Sequence, residues 1–169
     1  MSPAPSRPHD DLITYRLGLR SWTTAETTAV LDGPRRPHWA DDFPAEGDRV
    51  VAGLFGEFPE WLGAFGHRQV VERSSGLVVG SLGLFWPPED GAVEIGYGIV
   101  ASRRGLGYAS EATRVLTEFA FTVGVRTVYA GVELSNPASV RVLEKAGFQL
   151  WDTDTEQGTA RYRVISAPS

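Results

Sequence analysis

A loop rich in glycine and arginine carries the strongest chemical signal in the sequence. It spans residues 102–109, Ser102-Arg103-Arg104-Gly105-Leu106-Gly107-Tyr108-Ala109, between a predicted strand and a predicted amphipathic helix. Glycines allow the backbone to turn sharply and to approach a ligand closely. The first amides of the following helix lack intrahelical acceptors, and the helix dipole and two arginines add positive potential. These features predict a phosphate or pyrophosphate site, the alternative being an ordinary turn that needs glycine only for its geometry.

The residues that the loop lacks narrow the choice of phosphate ligand. It has no Gly-Lys-Ser/Thr ending, so a nucleotide-hydrolysing P-loop is disfavoured. Gly105 and Gly107 are followed by Ser110, where the dinucleotide-binding fingerprint has its third glycine. The loop also follows a late strand instead of opening the fold, which argues further against a dinucleotide site.

Several kinds of chemistry are excluded by residue type. The sequence has no cysteine, which removes disulfides, thiolate nucleophiles, iron-sulfur ligation and cysteine zinc sites. His9, His38 and His67 are scattered without metal-ligand spacing, so no metal site is predicted. The single lysine, Lys145, lies in a helix pattern, so Schiff-base chemistry is set aside.

The elements that must position this loop follow from the apolar pattern. It predicts strand, two helices, three strands, helix, strand, helix and two strands. The predicted strands cover 12–19, 69–73, 77–85, 93–100, 125–132, 148–152 and 159–165. The predicted helices cover 24–31, 48–58, 107–123 and the segment between Asn136-Pro137 and Gly147. A hairpin-rich first half followed by one β-α-β unit predicts an α+β fold, a mixed, mostly antiparallel central sheet with helices on both faces.

Length and charge set the organisation of the chain. Its 169 residues correspond to about one domain, since domains typically run about 100 to 200 residues. We expect a disordered tail at 1–10 and a single domain over 11–166. A net charge of -5 excludes a surface-wide attraction for nucleic acid or an anionic membrane. The absence of a signal-peptide pattern and of a long apolar run makes the cytoplasm the expected location.

Three blocks of sequence resemble one family. Arg104-Gly105-Leu106-Gly107-Tyr108-Ala109 resembles the Gln/Arg-x-x-Gly-x-Gly/Ala coenzyme A loop of the GNAT N-acetyltransferase family. Residues 136–148 are similar to its second signature, Asn-x-x-Ser leading into Leu-Glu-Lys-x-Gly-Phe. Residues 93–100 resemble the preceding strand in the branch that includes ribosomal-protein alanine acetyltransferases. The blocks stand in the family's order and at about its spacing, so the domain at 11–166 is expected to have the acyl-CoA N-acyltransferase fold.

The resemblance implies acetyl-CoA as co-substrate and a set of residues that bind it. The loop amides of Leu106, Gly107, Tyr108 and Ala109 would hold the pyrophosphate, and Arg103 and Arg104 would add charge. The main chain of Ile99 and Val100 would pair with the pantetheine arm like an additional strand. The implied cofactor-binding residues are Ile99, Val100, Arg103, Arg104, Gly105, Leu106, Gly107, Tyr108, Ala109, Asn136 and Ser139.

Acetyl transfer to an amine requires a neutral amine, a polarised thioester carbonyl and a proton for the departing thiolate. Glu94 is the first candidate for the base, since strand alternation places it on one face with Gly96 and Gly98, which leave open space beside it. Glu133, just past the next strand, is the rival. Ser139 is the candidate proton donor, because it matches the serine of the Asn-x-x-Ser signature.

The acceptor amine is expected to be a small molecule or a protein N-terminus. The two early helices and the loop that follows the first of them are expected to form its pocket, with Trp61 and Trp86 as walls. The loop residues are Arg36, His38, Trp39, Asp41 and Asp42. The two aspartates would favour a cationic amine. The alternative function is a non-catalytic acyl-CoA-binding regulatory module, and a homodimer is a further possibility. No nucleic acid, membrane or metal is expected to take part.

Overall fold

The computed structural model describes residues 11–167, so the tail predicted at 1–10 lies outside the described residues. The first half contains strands β1 (Leu12–Ile13), β2 (Leu17–Ser21), β3 (His67–Glu72) and β4 (Leu77–Leu84) and helices α1 (Thr24–Asp32) and α2 (Glu46–Leu54). The second half contains strands β5 (Ala92–Ile99), β6 (Thr127–Glu133), β7 (Gln149–Asp154) and β8 (Thr159–Ile165) and helices α3 (Tyr108–Thr122) and α4 (Pro137–Lys145). This order of elements agrees with the predicted order except at the first strand.

Two elements of the first half differ from their predicted bounds by more than two residues. The strand expected over 12–19 is divided into β1 and β2, because the Thr14 amide donates to the Leu17 carbonyl at 2.8 Å and turns the chain. Helix α2 ends at Leu54, before the predicted end at Phe58. Glycines at 53 and 56 are poor helix formers and account for the earlier end.

Within residues 11–167, eight strands form one sheet in the order β1-β2-β3-β4-β5-β6-β8-β7. β5 and β6 run parallel, as a β-α-β unit requires, and the other neighbouring strands run antiparallel. The sheet is therefore mixed and mostly antiparallel, as predicted.

Helices cover both faces of the sheet. Successive side chains of β3 point to opposite faces. The His67 ring packs against Phe55, next to α2, with ring centroids 5.7 Å apart. The neighbouring Arg68 guanidinium lies 5.3 Å from the Phe119 ring of α3. Helix α2 and helix α3 therefore lie on opposite faces, as predicted.

The core lies between the central strands and these helices. Leu82 of β4, Ile95 of β5 and Leu116 of α3 are among its buried side chains, and Leu143 anchors α4. Their burial fixes the ends of β5, α3 and α4 relative to one another, and the loop of 102–109 lies where these ends meet. Within the described part of the chain, no helix has the length and apolar character needed to cross a membrane.

Candidate active site

The parallel strands β5 and β6 separate partway along their length. They pair from Ala92 with Thr127 to Glu94 with Tyr129, after which β5 continues to Ile99 with no β6 partner. The opening leads into a cleft of about 650 Å³ on the α3 and α4 side. The cleft is lined by Tyr97, Gly98, Ile99, Arg103, Arg104, Gly105, Gly107, Tyr108, Ala109, Ser110, Asn136, Ala138, Ser139, Arg141, Val142 and Lys145. It thus joins the end of β5, the loop of 102–109 and the first turns of α3 and α4.

The main-chain groups that face this opening are those of Tyr97 and Ile99. The Val100 amide donates to the Val79 carbonyl of β4, and its carbonyl accepts from the Arg103 amide. Because main-chain groups of alternate strand residues point to the same edge, those of Tyr97 and Ile99 point away from β4. The expectation for Val100 is therefore corrected, since both of its groups are engaged and its side chain is 1% exposed.

Gly107 begins helix α3 in a conformation that favours glycine. Its φ is +83°, and the amides of the next three residues open the first turn of α3, where intrahelical acceptors are lacking. A Cβ atom at Gly107 would lie 3.3 Å from Nη2 of Arg16 and 3.4 Å from Nζ of Lys145. Two cations thus converge on the amides of a helix N-terminus. This arrangement suits a pyrophosphate or a phosphate.

The cations at the cleft differ in part from those predicted. Arg103 and Arg104 line it, but Nε of Arg103 donates to Glu72 at 3.1 Å and Nε of Arg104 donates to the Ile99 carbonyl at 3.1 Å. Sequence reasoning missed Arg141 and Lys145, which line the cleft from α4. Their spacing of four residues, on one side of a helix, was an available signal.

Arg16 is a further cation that the sequence did not indicate. It comes from the turn between β1 and β2, and its Nε donates to Glu111 of α3 at 2.8 Å. Its guanidinium also lies 4.8 Å from the Tyr108 ring. The hydrogen bonds of Arg16 and Thr14 to Glu111 tie this turn to the first turns of α3. No local pattern links residues this far apart in sequence.

A buried carboxylate holds the loop in place. Glu72, at the end of β3, accepts hydrogen bonds from the Tyr108 hydroxyl at 2.7 Å, the Ser75 hydroxyl at 2.6 Å and Nε of Arg103. Burial alone would raise the pKa of Glu72, but these donors outweigh it and hold the pKa below its ordinary value. Glu72 therefore fixes both ends of the loop as a charged group.

Two other residues predicted to bind the cofactor differ in their position relative to the cleft. The Leu106 side chain is 46% exposed and does not line the cleft. Asn136 does line it, and its Oδ1 accepts from the Ser139 amide at 3.2 Å as the N-cap of α4. Asn136 therefore has a structural task at the entrance to α4, beside any role toward a ligand.

Two hydroxyl groups meet in the cleft. The Tyr97 hydroxyl lies 2.7 Å from Oγ of Ser139, a pairing that connects β5 to α4. Burial raises the pKa of Tyr97 by more than the Ser139 hydrogen bond lowers it. The net pKa is therefore raised, and Tyr97 keeps its proton. The sequence singled out Ser139 but assigned Tyr97 no catalytic part. The pair provides two neutral proton donors at one point.

Glu94 lies on the other face of the sheet, where strand alternation places it. Burial raises the pKa of this half-buried carboxyl, and the nearby Arg161 offsets part of the rise. Within residues 11–167 no hydrogen bond to its carboxylate is found. The open space expected at Gly96 is filled by Phe85, whose ring would be 3.1 Å from a Cβ there. Gly98 does leave the expected open space, since no atom of the described residues lies within 4 Å of a Cβ there. Further space lies above Gly131, where a Cβ would be 4.0 Å from Oε2 of Glu94.

Glu133 and the predicted acceptor loop lie apart from this carboxylate. Glu133 is exposed at the end of β6, four residues beyond Tyr129, the partner of Glu94. Trp39 is buried and donates to Glu26, whereas Asp42 accepts from the amide and hydroxyl of Ser102. Asp42 therefore supports the loop of 102–109. Both of its carboxylate oxygens are used for this, so its position does not support the predicted role in binding the acceptor.

Of the two tryptophans expected to line the pocket, Trp61 lies on the Glu94 side, whereas the Trp86 ring stacks on Phe65, which in turn stacks on Phe119 of α3 on the opposite face. Trp61 packs edge-on against Phe85 with ring centroids 5.0 Å apart, and its indole N–H donates to the Trp86 carbonyl. The Phe85 amide in turn donates to the Glu94 carbonyl at 2.9 Å. An apolar wall thus stands beside the carboxylate, which explains the burial that raises its pKa.

Comparison with known proteins identifies the class to which this fold and site belong. Residues 16–149 match the model of the acetyltransferase (GNAT) domain, so the chain belongs to the GNAT acetyltransferase family. It is 32% identical over 98 residues to the uncharacterized N-acetyltransferase p20 of Bacillus licheniformis, a match covering 57% of this chain and 55% of that protein. The matched segment spans about half the length of the curated relatives.

Solved structures share the fold over nearly the whole chain. An acetyltransferase from Agrobacterium tumefaciens has a TM-score of 0.65 at 24% identity, covering 98% of this chain and 99% of that chain. A ribosomal-protein alanine acetyltransferase from Vibrio fischeri has a TM-score of 0.66 at 14% identity, covering 92% of this chain and 96% of that chain. The predicted acyl-CoA N-acyltransferase fold is thereby confirmed.

Proposed function

We propose that this protein is an acetyl-CoA-dependent N-acetyltransferase that transfers an acetyl group to a primary amine by direct attack in a ternary complex. The observation that carries the proposal is the separation of β5 from β6. It opens the basic cleft, with Tyr97 and Ser139, on one face of the sheet, and Glu94 stands on the other face beside the same opening. A small-molecule amine or a protein N-terminus is the acceptor, and family membership supports this class of reaction.

The donor side of the site is built for a phosphorylated ligand with an extended arm. Bound acetyl-CoA supplies a thioester, which an amine can attack. Arg16, Lys145 and the first amides of α3 hold its phosphates, since they converge at Gly107, and Arg141 adds charge from the wall of the cleft. The outward-facing main-chain groups of Tyr97 and the Ile99 amide hold the arm in the manner of a sheet partner, whereas the Ile99 carbonyl already accepts from Nε of Arg104.

Proton transfer is divided between the two faces. Glu94 accepts the proton of the amine, directly or through water, because its raised pKa makes it a better base than an ordinary carboxylate. Ser139 donates a proton to the departing thiolate, and Tyr97 restores it through their 2.7 Å contact. The site therefore holds a base and an acid on opposite sides of one opening.

The proposal is tested by binding and by turnover. Acetyl-CoA should raise the Tm of the wild type by mass action, and thiol release with a suitable amine should follow. Gly107→Glu places a carboxylate between Arg16 and Lys145 and should abolish the Tm shift. Gly124→Glu, at a positive-φ glycine beyond the opposite end of α3, is the matched control and should retain it.

Three outcomes decide between this proposal and its alternatives. A Tm shift with no thiol release from any amine would support the regulatory acyl-CoA-binding module. A wild type with no Tm shift, or an equal shift in Gly107→Glu, contradicts the assignment of the cleft. Homodimer formation stays a prediction.

A further inference from the structure

A cluster of two arginines and two aromatic rings lies on the Glu94 face of the sheet. The guanidinium of Arg161 is 4.1 Å from the Trp151 ring centroid, and that of Arg163 is 4.8 Å from it. The Tyr129 ring meets the Trp151 ring edge-on at 5.5 Å. We call Tyr129, Trp151, Arg161 and Arg163 the arginine-aromatic cluster.

The sheet register places this cluster beside the proposed base. Glu94 pairs with Tyr129, and Tyr129 pairs with Arg163 on the next strand. Since neighbouring strands are about 4.8 Å apart, the Cα atoms of Glu94 and Arg163 are separated by about 10 Å. Gly131 pairs with Arg161, and its missing side chain leaves a slot between Glu94 and that arginine.

The two arginines of the cluster differ in their ion pairing. Arg161 is paired with Asp152, and it also interacts electrostatically with Glu94. The Arg163 side chain makes no hydrogen bond or ion pair within residues 11–167, although its charge lowers the pKa of Asp152. A guanidinium stacked on an aromatic ring keeps its N–H edge free for a planar anion. Arg163 therefore offers an unused carboxylate-binding edge.

We propose that the acceptor is an amine that also carries a carboxylate, its amine at Glu94 and its carboxylate at Arg163 and Arg161. This inference rests on the proposed function, because it assigns the substrate class of the same site. The two arginines would repel the additional positive charges of a polyamine. A free amino acid and the N-terminus of an acidic peptide share the required chemistry.

The test compares acceptors that differ only in the carboxylate. Thiol release is measured with acetyl-CoA and free glutamate, glutamate diamide, an acidic tripeptide, the corresponding all-amide tripeptide and spermidine. A hydrogen-bonded charge pair is worth about tenfold to a hundredfold, so each acid should exceed its amide by that factor in kcat/KM. Comparison of free glutamate with the acidic tripeptide shows whether the acceptor is a free amino acid or a peptide N-terminus.

Three variants test which residues cause the preference for acids over amides. Arg163→Gln should reduce the acid-to-amide ratio in kcat/KM to about 1, and acetyl-CoA should still raise its Tm as it does in the wild type. Arg126→Gln removes one charge from an exposed position before β6 and should keep the wild-type ratio. Gly131→Val fills the slot and should slow transfer to every acceptor while acetyl-CoA still raises the Tm.

The outcomes separate this inference from the proposed function. Equal or faster transfer to the amides or to spermidine overturns the carboxylate preference and leaves an acetyltransferase in place. A preference that persists in Arg163→Gln overturns the role of the cluster. Absence of thiol release with every acceptor, despite a Tm shift with acetyl-CoA, overturns the proposed function and the inference together.

Discussion

At the scale of single residues, the site depends on groups whose surroundings set their protonation. Glu94 has a raised pKa because it lies against an apolar wall, whereas Glu72 has a lowered pKa because three donors surround it. Both are carboxylates near one cleft, yet one is suited to accept a proton and the other to remain charged.

Glu94→Gln should lower turnover by roughly a hundredfold to ten-thousandfold and remove the acidic limb of the pH profile. In the wild type that limb should lie above pH 4.5, the ordinary pKa of a glutamate, because burial raises the pKa of Glu94. The profile of kcat/KM against pH is the measurement, with acetyl-CoA binding checked separately. Glu133→Gln is the matched control. If Glu133→Gln alone loses turnover and the acidic limb of the pH profile, Glu133 is the base and Glu94 is not.

The same substitution has an expected effect on stability. A carboxyl whose folded pKa is raised is most favourable to folding below its unfolded pKa, and this contribution is lost as pH rises through the folded pKa. At pH 7 the charged Glu94 therefore opposes folding. The Tm of Glu94→Gln should equal or exceed that of the wild type at pH 7, and a large fall would show that Glu94 is structural.

Ser139→Ala should lower kcat with little change in acetyl-CoA affinity, because its hydroxyl is needed when charge develops on the sulfur. Tyr97→Phe removes the partner hydroxyl and should produce a smaller loss of kcat. Single-turnover kinetics and the acetyl-CoA Kd separate the two effects. Weakened binding with unchanged turnover in Ser139→Ala would make it a binding residue only.

At the scale of elements, the loop of 102–109 is held by contacts from a strand, a helix and another loop. Glu72 on β3, Glu111 on α3 and Asp42 in the loop after α1 each accept hydrogen bonds that fix the loop or its flanks. The loop is therefore prepared before any ligand arrives, which reduces the entropy lost on binding.

Glu72→Gln should weaken acetyl-CoA binding and lower the free energy of unfolding by about 1.5 to 3 kcal/mol at pH 7, the range for hydrogen bonds to charged groups. Because the folded pKa of Glu72 is lowered, its contribution is present above the ordinary value of 4.5 and is lost as pH falls through the folded pKa. The difference in stability between wild type and variant should thus shrink on acidification below about pH 5.

Urea unfolding at several pH values measures this difference. Glu118→Gln, a carboxylate on the exposed side of α3, is the control and should leave stability and binding nearly unchanged. A kcat at saturating substrate close to that of the wild type identifies Glu72 as a positioning residue. A stability difference that is constant down to pH 3 would contradict the charged state assigned to it.

The sequence predicted elements better than the contacts between them. Apolar periodicity and the signature residues placed β5, α3 and α4, because these depend on local spacing. It missed Arg16 and gave Tyr97 no catalytic part, since their partners Glu111 and Ser139 lie far along the chain. It assigned Val100 to the ligand from the family resemblance alone, whereas the direction of the Val100 main-chain groups is set by pairing with β4.

At the scale of the whole molecule, the proposed function assigns its two tasks to opposite faces of the sheet. Helices α3 and α4 with their cations occupy the side proposed for the acetyl donor, and Glu94 with the arginine-aromatic cluster occupies the other. The net charge of -5 is thereby reconciled with an anionic ligand, because the cations are concentrated at one cleft.

The separation of β5 from β6 also has a kinetic consequence. Because the proposed donor and acceptor approach from opposite faces, neither blocks the path of the other, and the geometry imposes no order of addition. Free coenzyme A should then compete with acetyl-CoA but not with the amine in steady-state inhibition. Each product can depart through the side by which its parent entered, so neither has to wait for the other to clear.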